Sequence, residues 1–85
     1  MYTLVSTKRF RKSFRKLDTL EKKRAAGKLE ILKNDPKHPS LNSHWNQKRR
    51  AWQSSINDRV RILWDYGPGK NEITLIIIGD HAVVE

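Results

Sequence analysis

Residues 51–66 read AWQSSINDRVRILWDY, and residues 73–81 read ITLIIIGDH. In the first stretch apolar and polar residues alternate on both sides of Asn57 and Asp58, a pair typical of a tight turn. The second stretch is apolar on both faces, which is typical of a central strand. Because residues 67–71 form a loop that can join two strands as a hairpin, the sequence predicts three consecutive antiparallel strands. They span residues 52–56, 60–66 and 73–78.

The N-terminal part predicts a strand over residues 2–6 and then two helices. Thr7 can cap the first helix, whose apolar residues recur at the i, i+4, i+7 spacing of one helix face. These residues are Phe10, Phe14 and Leu17. Asp18 and Glu21 form a capping box for the second helix. That helix must end before Pro36, because the position before a proline disfavours helical backbone.

Residues 37–50 have no clean periodicity, and they predict a loop with room for a strand near its end. The predicted order is therefore one strand, two helices and three strands. We predict a single α+β domain over residues 1–85, in which an antiparallel helical hairpin packs on one face of a small, mostly antiparallel sheet.

The charge of the chain is high and unevenly distributed. The net charge is +9, and residues 1–50 hold 15 Lys and Arg against 4 Asp and Glu, whereas residues 51–85 hold 3 against 5. A basic half of this kind predicts a phosphate-rich partner, either nucleic acid or the ribosome. Two alternatives stay open: an acidic protein partner, and a basic surface that serves solubility alone.

The composition also limits the classes of site. The chain has no cysteine, which excludes disulfides and thiolate zinc sites and fits a reducing, cytoplasmic location. Its longest wholly aliphatic run, Leu75–Ile78, is too short to span a membrane, so we expect no membrane association. We expect neither a metal ion nor a cofactor.

Two side chains in the quoted stretches can handle phosphate. RNA is cleaved without metal when its 2′-OH attacks the adjacent phosphorus, and the protein must then move two protons and stabilise a charged phosphorane. Arg61 suits charge stabilisation, and His81 suits proton transfer near neutral pH. If the apolar face of the arginine strand packs under the helices, Arg61 stands on the open face. The alternative is a structural pair between Arg61 and Asp65.

The order of these features resembles the RelE/ParE superfamily of small bacterial toxins. There, a strand of the form Arg-aliphatic-aliphatic-aromatic precedes an apolar strand that ends in Gly-x-His. The matching motifs here are Arg61–Trp64 and Gly79–His81. The resemblance covers nearly the whole chain and implies the RelE-like microbial RNase fold. Because the Gly-x-His end looks like that of the RNA-cleaving branch, it also implies a catalytic role for His81.

The resemblance implies further site residues. Related toxins use a loop histidine or lysines where His44 and residues 48–50 stand, which makes His44 a candidate second proton-transfer group. Asp58 resembles an acidic residue near the cleft of some relatives, although an Asn-Asp turn explains it equally well. Basic side chains are expected to contact the phosphate backbone, and an aromatic side chain to stack on a base. The residues expected to bind RNA are Lys8, Arg11, Lys12, Arg15, Lys48, Arg49, Arg50, Trp52 and Arg59.

One departure from the family pattern affects the activity. Relatives commonly end in an aromatic residue, whereas this chain ends in Glu85, so base stacking would fall to Trp45 or Trp52. The first hypothesis is a type II toxin that cuts mRNA at the ribosome and is neutralised by an acidic antitoxin. The alternatives are a ParE-like inhibitor of DNA gyrase without RNase chemistry, and a catalytically weakened relative that only binds RNA.

Overall fold

The computed structural model of the chain describes residues 1–84, so the expectation attached to Glu85 lies outside the described residues. The elements in chain order are β1 (Thr3–Ser6), α1 (Lys8–Arg15), α2 (Thr19–Asn34), a 3₁₀ turn (Pro39–Leu41), β2 (His44–Asn46), β3 (Ala51–Ser55), β4 (Arg61–Tyr66), β5 (Glu72–Gly79) and α3 (His81–Val84). Within this range no helix combines the length and the apolar character needed to cross a membrane.

The five strands form one sheet in the order β1-β5-β4-β3-β2. β1 pairs with β5 in parallel, and the other three strand pairs are antiparallel. The predicted α+β class and mostly antiparallel sheet are confirmed, and β5 is a central strand. The pairing of β4 with β5 sets Gly79 opposite Arg61. The two sequence motifs therefore meet at one end of the sheet.

The segment predicted as a loop contains the strand β2, which lies in its middle and not near its end. Residues 47–50 form the turn into β3. Trp45 lies opposite Trp52 of β3, with the two ring centroids 5.8 Å apart. A cross-strand aromatic pair stabilises a short edge strand. A strand of three residues is too short to show an alternating pattern in the sequence. Its position depends on the contact with β3, which sequence patterns do not report.

Helix α1 begins where the sequence predicts and is fastened to β5 by two hydroxyl groups. The Thr7 hydroxyl oxygen accepts a hydrogen bond from the Phe10 amide at 3.0 Å and donates to the Leu75 carbonyl at 2.9 Å. Six residues later, the Ser13 hydroxyl oxygen accepts from the Ile78 amide at 3.1 Å. The cap is therefore also a tertiary contact, and it fixes α1 along the strand that leads to Gly79.

Helix α2 has the predicted capping box. The Glu21 amide donates to Asp18 Oδ1 at 2.8 Å, and the Asp18 amide donates to Glu21 Oε1 at 3.3 Å. The helix ends at Asn34, before Pro36, as predicted. Leu17 was expected on α1, but α1 ends at Arg15; Leu17 lies in the short linker and still packs against the core.

The two faces of the sheet are covered to different extents. On the helix side, buried residues of α1, α2 and the strands form one large cluster. Its members are Phe10, Ala25, Leu32, Leu41, Ile56, Val60, Ile62, Trp64, Ile73, Leu75 and Ile78. On the other side a small cluster of Leu63, Ile77 and Val84 lies under α3. That face also carries the polar side chains of Gln53, Ser55, Arg61 and Asp65.

A chain of hydrogen bonds fixes the 3₁₀ segment and β2 to the core. The buried Trp64 Nε1 donates to Ser54 Oγ at 2.8 Å, Ser54 Oγ lies 2.7 Å from Ser43 Oγ, and Ser43 Oγ donates to the Pro36 carbonyl at 2.8 Å. Because the Ser43 proton goes to Pro36, the Ser54 hydroxyl donates to Ser43. Every polar atom in this chain is satisfied, which a buried network requires.

Candidate active site

The turn between β3 and β4 holds the start of the arginine strand in place. Asn57 Oδ1 accepts hydrogen bonds from the amides of Arg59 at 2.9 Å and Val60 at 2.7 Å, and the Ile56 amide donates to the Val60 carbonyl at 2.9 Å. An Asn side chain that bonds its own backbone two residues on is the reason this residue type favours turns. The turn predicted from Asn57 and Asp58 is therefore confirmed.

Arg61 lies on the sheet face opposite to the helices, as the alternation of β4 predicts. Its Nη1 donates to the carbonyls of Asn57 and Val60, the latter at 3.2 Å. Asp65 instead accepts a hydrogen bond from the Tyr66 amide at 2.8 Å, so the carbonyls of the turn take the place of the Asp65 partner that was considered. A guanidinium has five donors, and the Nε and Nη2 donors are not used by these two bonds.

His81 is the first residue of α3 and is exposed. The preceding Gly79 explains how α3 comes this close to the sheet. A Cβ atom at position 79 would lie only 2.7 Å from Val83 Cβ and Cγ1. The missing side chain lets α3 fold back over β5, so that Val84 is fully buried in the cluster with Leu63. The glycine of the Gly-x-His motif thus sets the position of the histidine.

Three of the four predicted catalytic residues line one cavity of about 640 Å³ at this end of the sheet. Its lining residues are Asp58, Arg59, Arg61, Asp80, His81 and Ala82. The arrangement puts two guanidinium groups, an imidazole and two carboxylates around one open volume. Among residues 1–84, no three His, Cys, Asp or Glu side chains are grouped so that they could hold a metal ion.

His44, the fourth candidate, does not line this cavity. It lies on β2 opposite Gln53, which in turn lies opposite Leu63 of β4. The pairing places His44 on the same sheet face as Arg61 but two strand spacings, about 10 Å, from β4. Its Nδ1 lies 3.3 Å from the Asn42 carbonyl. The expectation that His44 belongs to a loop is wrong.

Arg59 has a partner that sequence reasoning missed. It forms an ion pair with Glu21 of the α2 capping box, and the exposed fractions of the two side chains are 67% and 11%. The hydrogen bond and the charge of Glu21 raise the pKa of Arg59, against the smaller effect of burial. The predicted RNA-binding residue Arg59 therefore also neutralises a buried carboxylate. The two residues are 38 positions apart, so no local pattern relates them.

The predicted basic residues of α1 divide into two rows. Arg11 donates through Nη1 to the Ser6 carbonyl at 2.6 Å. Lys12 instead lines a second cavity, of about 410 Å³, between α1 and the end of β5, together with Arg9 and Lys16. Sequence reasoning missed Arg9 and Lys16 as site residues. The signal was present as their i, i+3, i+7 spacing along one side of the apolar stripe. The exposed residues of the other row are Lys8, Arg11 and Arg15.

The basic triplet at residues 48–50 occupies the turn between β2 and β3. Arg49 reaches towards α3, with its Nη1 3.5 Å from the Val83 carbonyl. Lys48 and Arg50 are exposed, and Arg50 adopts a positive φ of 55°. The turn therefore brings positive charge close to α3.

Trp52 lies on the helix side of the sheet, opposite to the face that carries Arg61. Its ring stacks on Trp64 with centroids 5.8 Å apart, and Lys37 Nζ lies 3.7 Å from its ring centroid. These contacts engage the indole within the protein, so Trp52 is not placed to stack on a base at the cavity. Trp45, the other aromatic considered, is 44% exposed and lies on the helix side as well.

Comparison with known proteins gives a clear result for structure alone. No protein-family model matches the chain, and no curated protein matches it by sequence. The YoeB/ParE toxin from Agrobacterium tumefaciens is similar with a TM-score of 0.78 at 14% identity, covering 95% of this chain and 99% of that one. YafQ from E. coli strain BL21(DE3) is similar with a TM-score of 0.77 at 11% identity, covering 96% of both chains.

A third similar structure is a chain of the intact E. coli RelBE toxin–antitoxin complex, with a TM-score of 0.75 at 17% identity, covering 94% of this chain and 96% of that chain. These likenesses extend over nearly the whole length of each protein. The resemblance to the RelE/ParE superfamily is therefore confirmed at the level of the fold, which is that of the RelE-like toxins.

Proposed function

We propose that this protein is the toxin of a type II toxin–antitoxin pair and that it cleaves RNA. The observation that carries the proposal is the shared cavity, which is lined by Arg61, His81 and Asp58 on a fold similar to RelE, YafQ and YoeB/ParE toxins. The three side chains come from a strand, a helix start and a turn. Their convergence is a property of the fold and not of any one motif.

The residues of the cavity can supply each part of a transesterification. In the proposed reaction, the RNA 2′ oxygen bonds to the adjacent phosphorus, and the bond from phosphorus to the 5′ oxygen breaks. The carboxylate of Asp58 takes the proton of the 2′-OH, and the imidazolium of His81 gives a proton to the leaving 5′ oxygen. Arg61 stabilises the charge that develops on the phosphorane, with donors that its backbone bonds leave unused.

The proposed partners follow from charge and from the relatives. The net charge of +9 favours a polyanionic substrate, which we propose to be mRNA held on the ribosome. Similar chains are found in the E. coli RelBE toxin–antitoxin complex and in the RelE–RelB complex from Pyrococcus horikoshii. We propose that an antitoxin with an acidic segment likewise binds this protein. The proposal assigns the protein to the cytoplasm and involves no cofactor.

The decisive experiment is cleavage of a defined RNA by the purified protein, with and without ribosomes. We expect fragments that end in a 2′,3′-cyclic phosphate and no cleavage where a 2′-deoxy nucleotide replaces the reacting one. His81→Ala and His81→Gln should both slow cleavage by about 10²–10⁴-fold, because neither variant can transfer the proton. Arg61→Lys, which keeps the charge but loses the planar fork, should also be slow.

Two histidines elsewhere in the chain serve as matched controls. His38 caps the 3₁₀ turn by accepting a hydrogen bond from the Ser40 amide at 3.1 Å, so His38→Gln should cleave at the parental rate. His44→Ala should have a much smaller effect than His81→Ala, and equal losses would contradict the assignment to the cavity. If the parent leaves RNA intact but stops DNA supercoiling by gyrase, the gyrase-inhibitor alternative replaces the nuclease.

A further inference from the structure

The second cavity, of about 410 Å³, lies between α1 and the end of β5. It shares two lining residues, Arg59 and Asp80, with the candidate active site. Arg59 and Asp80 therefore stand between two open volumes on one surface. The second cavity therefore adjoins the candidate active site. An RNA strand with one phosphate beside Arg61 would extend into it past Arg59.

The walls of the second cavity are positively charged. Four basic side chains line it, against the two carboxylates of Glu21 and Asp80. The basic side chains are those of Arg9, Lys12, Lys16 and Arg59. The Glu21 carboxylate is already paired with Arg59. Among residues 1–84 the ion pairs include none made by Arg9, Lys12 or Lys16, so these cations are available for an anionic ligand.

The floor of the cavity is apolar and suits a base or a ribose. It is formed by Leu17 of the linker between α1 and α2, by Ile78 of β5 and by Val83 of α3. A volume of this size lies in the range of small-molecule sites, which combine apolar walls with a few polar groups. Cations above an apolar floor match one nucleotide, with its phosphate on the lysines and its base on the floor.

We propose that this cavity is a nucleotide-binding subsite, which holds the nucleotide next to the scissile phosphate of a single-stranded RNA. This inference rests on the proposed function, because that function places the scissile phosphate of the RNA in the candidate active site. Lys12 and Lys16 bind the phosphate. Glu21 is a positioning residue, because its buried carboxylate holds the Arg59 guanidinium on the wall between the two cavities.

The test is the binding of a short 2′-O-methyl RNA oligonucleotide, which cannot be cleaved because it has no 2′-OH. The Lys12→Gln/Lys16→Gln double variant should weaken binding by at least about tenfold, because two charge-assisted contacts are lost. The matched control is Lys33→Gln/Lys70→Gln. These residues flank the N-terminal ends of β1 and β5, where the Tyr2 amide donates to the Lys33 carbonyl at 2.8 Å. This control removes the same charge and should change the affinity by no more than about twofold.

A second readout reports on the cavity itself. The methyl resonances of Ile78 and Val83 should shift when the oligonucleotide binds to the parent protein, while those of the core residue Ile73 should not. Equal losses in the two double variants would show diffuse attraction and overturn the proposal. Unchanged Ile78 and Val83 methyls would overturn it too, and so would methyl shifts produced by a glutamate-rich peptide but not by the oligonucleotide.

These measurements separate the subsite from the proposed nuclease activity. If the protein binds the oligonucleotide through Lys12 and Lys16 but never cleaves RNA, the subsite stands and the nuclease reading fails. If it cleaves RNA while the Lys12→Gln/Lys16→Gln variant binds like the parent, the nuclease stands and the subsite is overturned. Glu21→Gln should weaken binding less than the double variant, since it frees Arg59 without removing a cation.

Discussion

The two faces of the sheet differ in how fully they are covered by helices. The fully covered face stabilises the fold, and the thinly covered face carries the candidate active site. Among residues 1–84, the cluster on the helix side contains eleven buried residues, whereas the cluster under α3 contains three. A domain of this size buries only about 60–65% of its unfolded surface, so it cannot cover both faces fully. The helix side supplies most of the apolar burial, and the thinly covered side leaves Arg61 and His81 next to open space.

Two consecutive residues of β4 show this contrast directly. Ile62 and Leu63 are each only 1% exposed, but Ile62 packs in the large cluster and Leu63 packs in the small one. Their side chains have the same number of carbon atoms. A difference between their truncations therefore reports on the surroundings, and not on the transfer of the side chain itself.

The largest predicted effect comes from truncating these two residues. Ile62→Ala should lower the free energy of unfolding by about 4 kcal/mol, because α1, α2 and the sheet cannot close around the missing atoms. Leu63→Ala should cost about 2–3 kcal/mol, because the single turn of α3 can settle into the gap. Urea unfolding of both variants measures the two losses. A Leu63→Ala loss as large as that of Ile62→Ala would show that α3 is as rigidly packed as the helical hairpin.

The next effect tests the polar network of the helix side. Ser54→Ala removes the acceptor of the Trp64 indole N–H, which is fully buried. An unsatisfied buried donor costs about 1–3 kcal/mol. Ser55→Ala, one position along and half-buried on the other face, is the matched control and should change stability by less than about 0.5 kcal/mol. Equal losses of stability would mean that the hydrogen bonds from Trp64 through Ser54 and Ser43 to Pro36 add nothing beyond strand packing.

Much of the fold could be predicted from the sequence because it depends on local rules. The capping box of Asp18 and Glu21, the stop before Pro36 and the alternation of β4 each act over a few residues. The observed bounds of α2 agree with the predicted ones, and β4 begins one residue later than predicted, at Arg61. The position of Arg61 on the open face also followed from alternation, since one strand face had to be buried.

The missed features are those created by contacts between distant residues. The short strand β2 depends on the pairing of Trp45 with Trp52, and the Arg59 ion pair depends on Glu21. The second cavity exists only because α1 lies along β5. His44 was misplaced for the same reason, because its place on a strand is decided by the partner strand and not by its neighbours in sequence.

A smaller effect links the glycine of the Gly-x-His motif to the thin face. Gly79→Ala adds a Cβ atom 2.7 Å from Val83 Cβ and Cγ1, so α3 must move away from the sheet. We expect a loss of about 1–2 kcal/mol in stability, together with a larger proportional loss of RNA cleavage, because His81 moves with α3. The second substitution Val83→Gly removes the clashing atoms and should restore part of both. A Gly79→Ala variant with parental cleavage would show that His81 does not depend on the position of α3.

The smallest effect should raise stability without touching the open face. Gly27 lies within α2, and a Cβ atom built there meets nothing within 4 Å. Glycine inside a helix is less favourable than alanine by about 0.5–1 kcal/mol, because the unfolded chain loses more freedom on folding. Gly27→Ala should therefore raise the free energy of unfolding by that amount and leave the cleavage rate unchanged. Urea unfolding measures the change in stability, and the RNA cleavage assay measures the rate. A change in cleavage would couple α2 to the candidate active site, which the Glu21–Arg59 pair at the start of this helix adjoins.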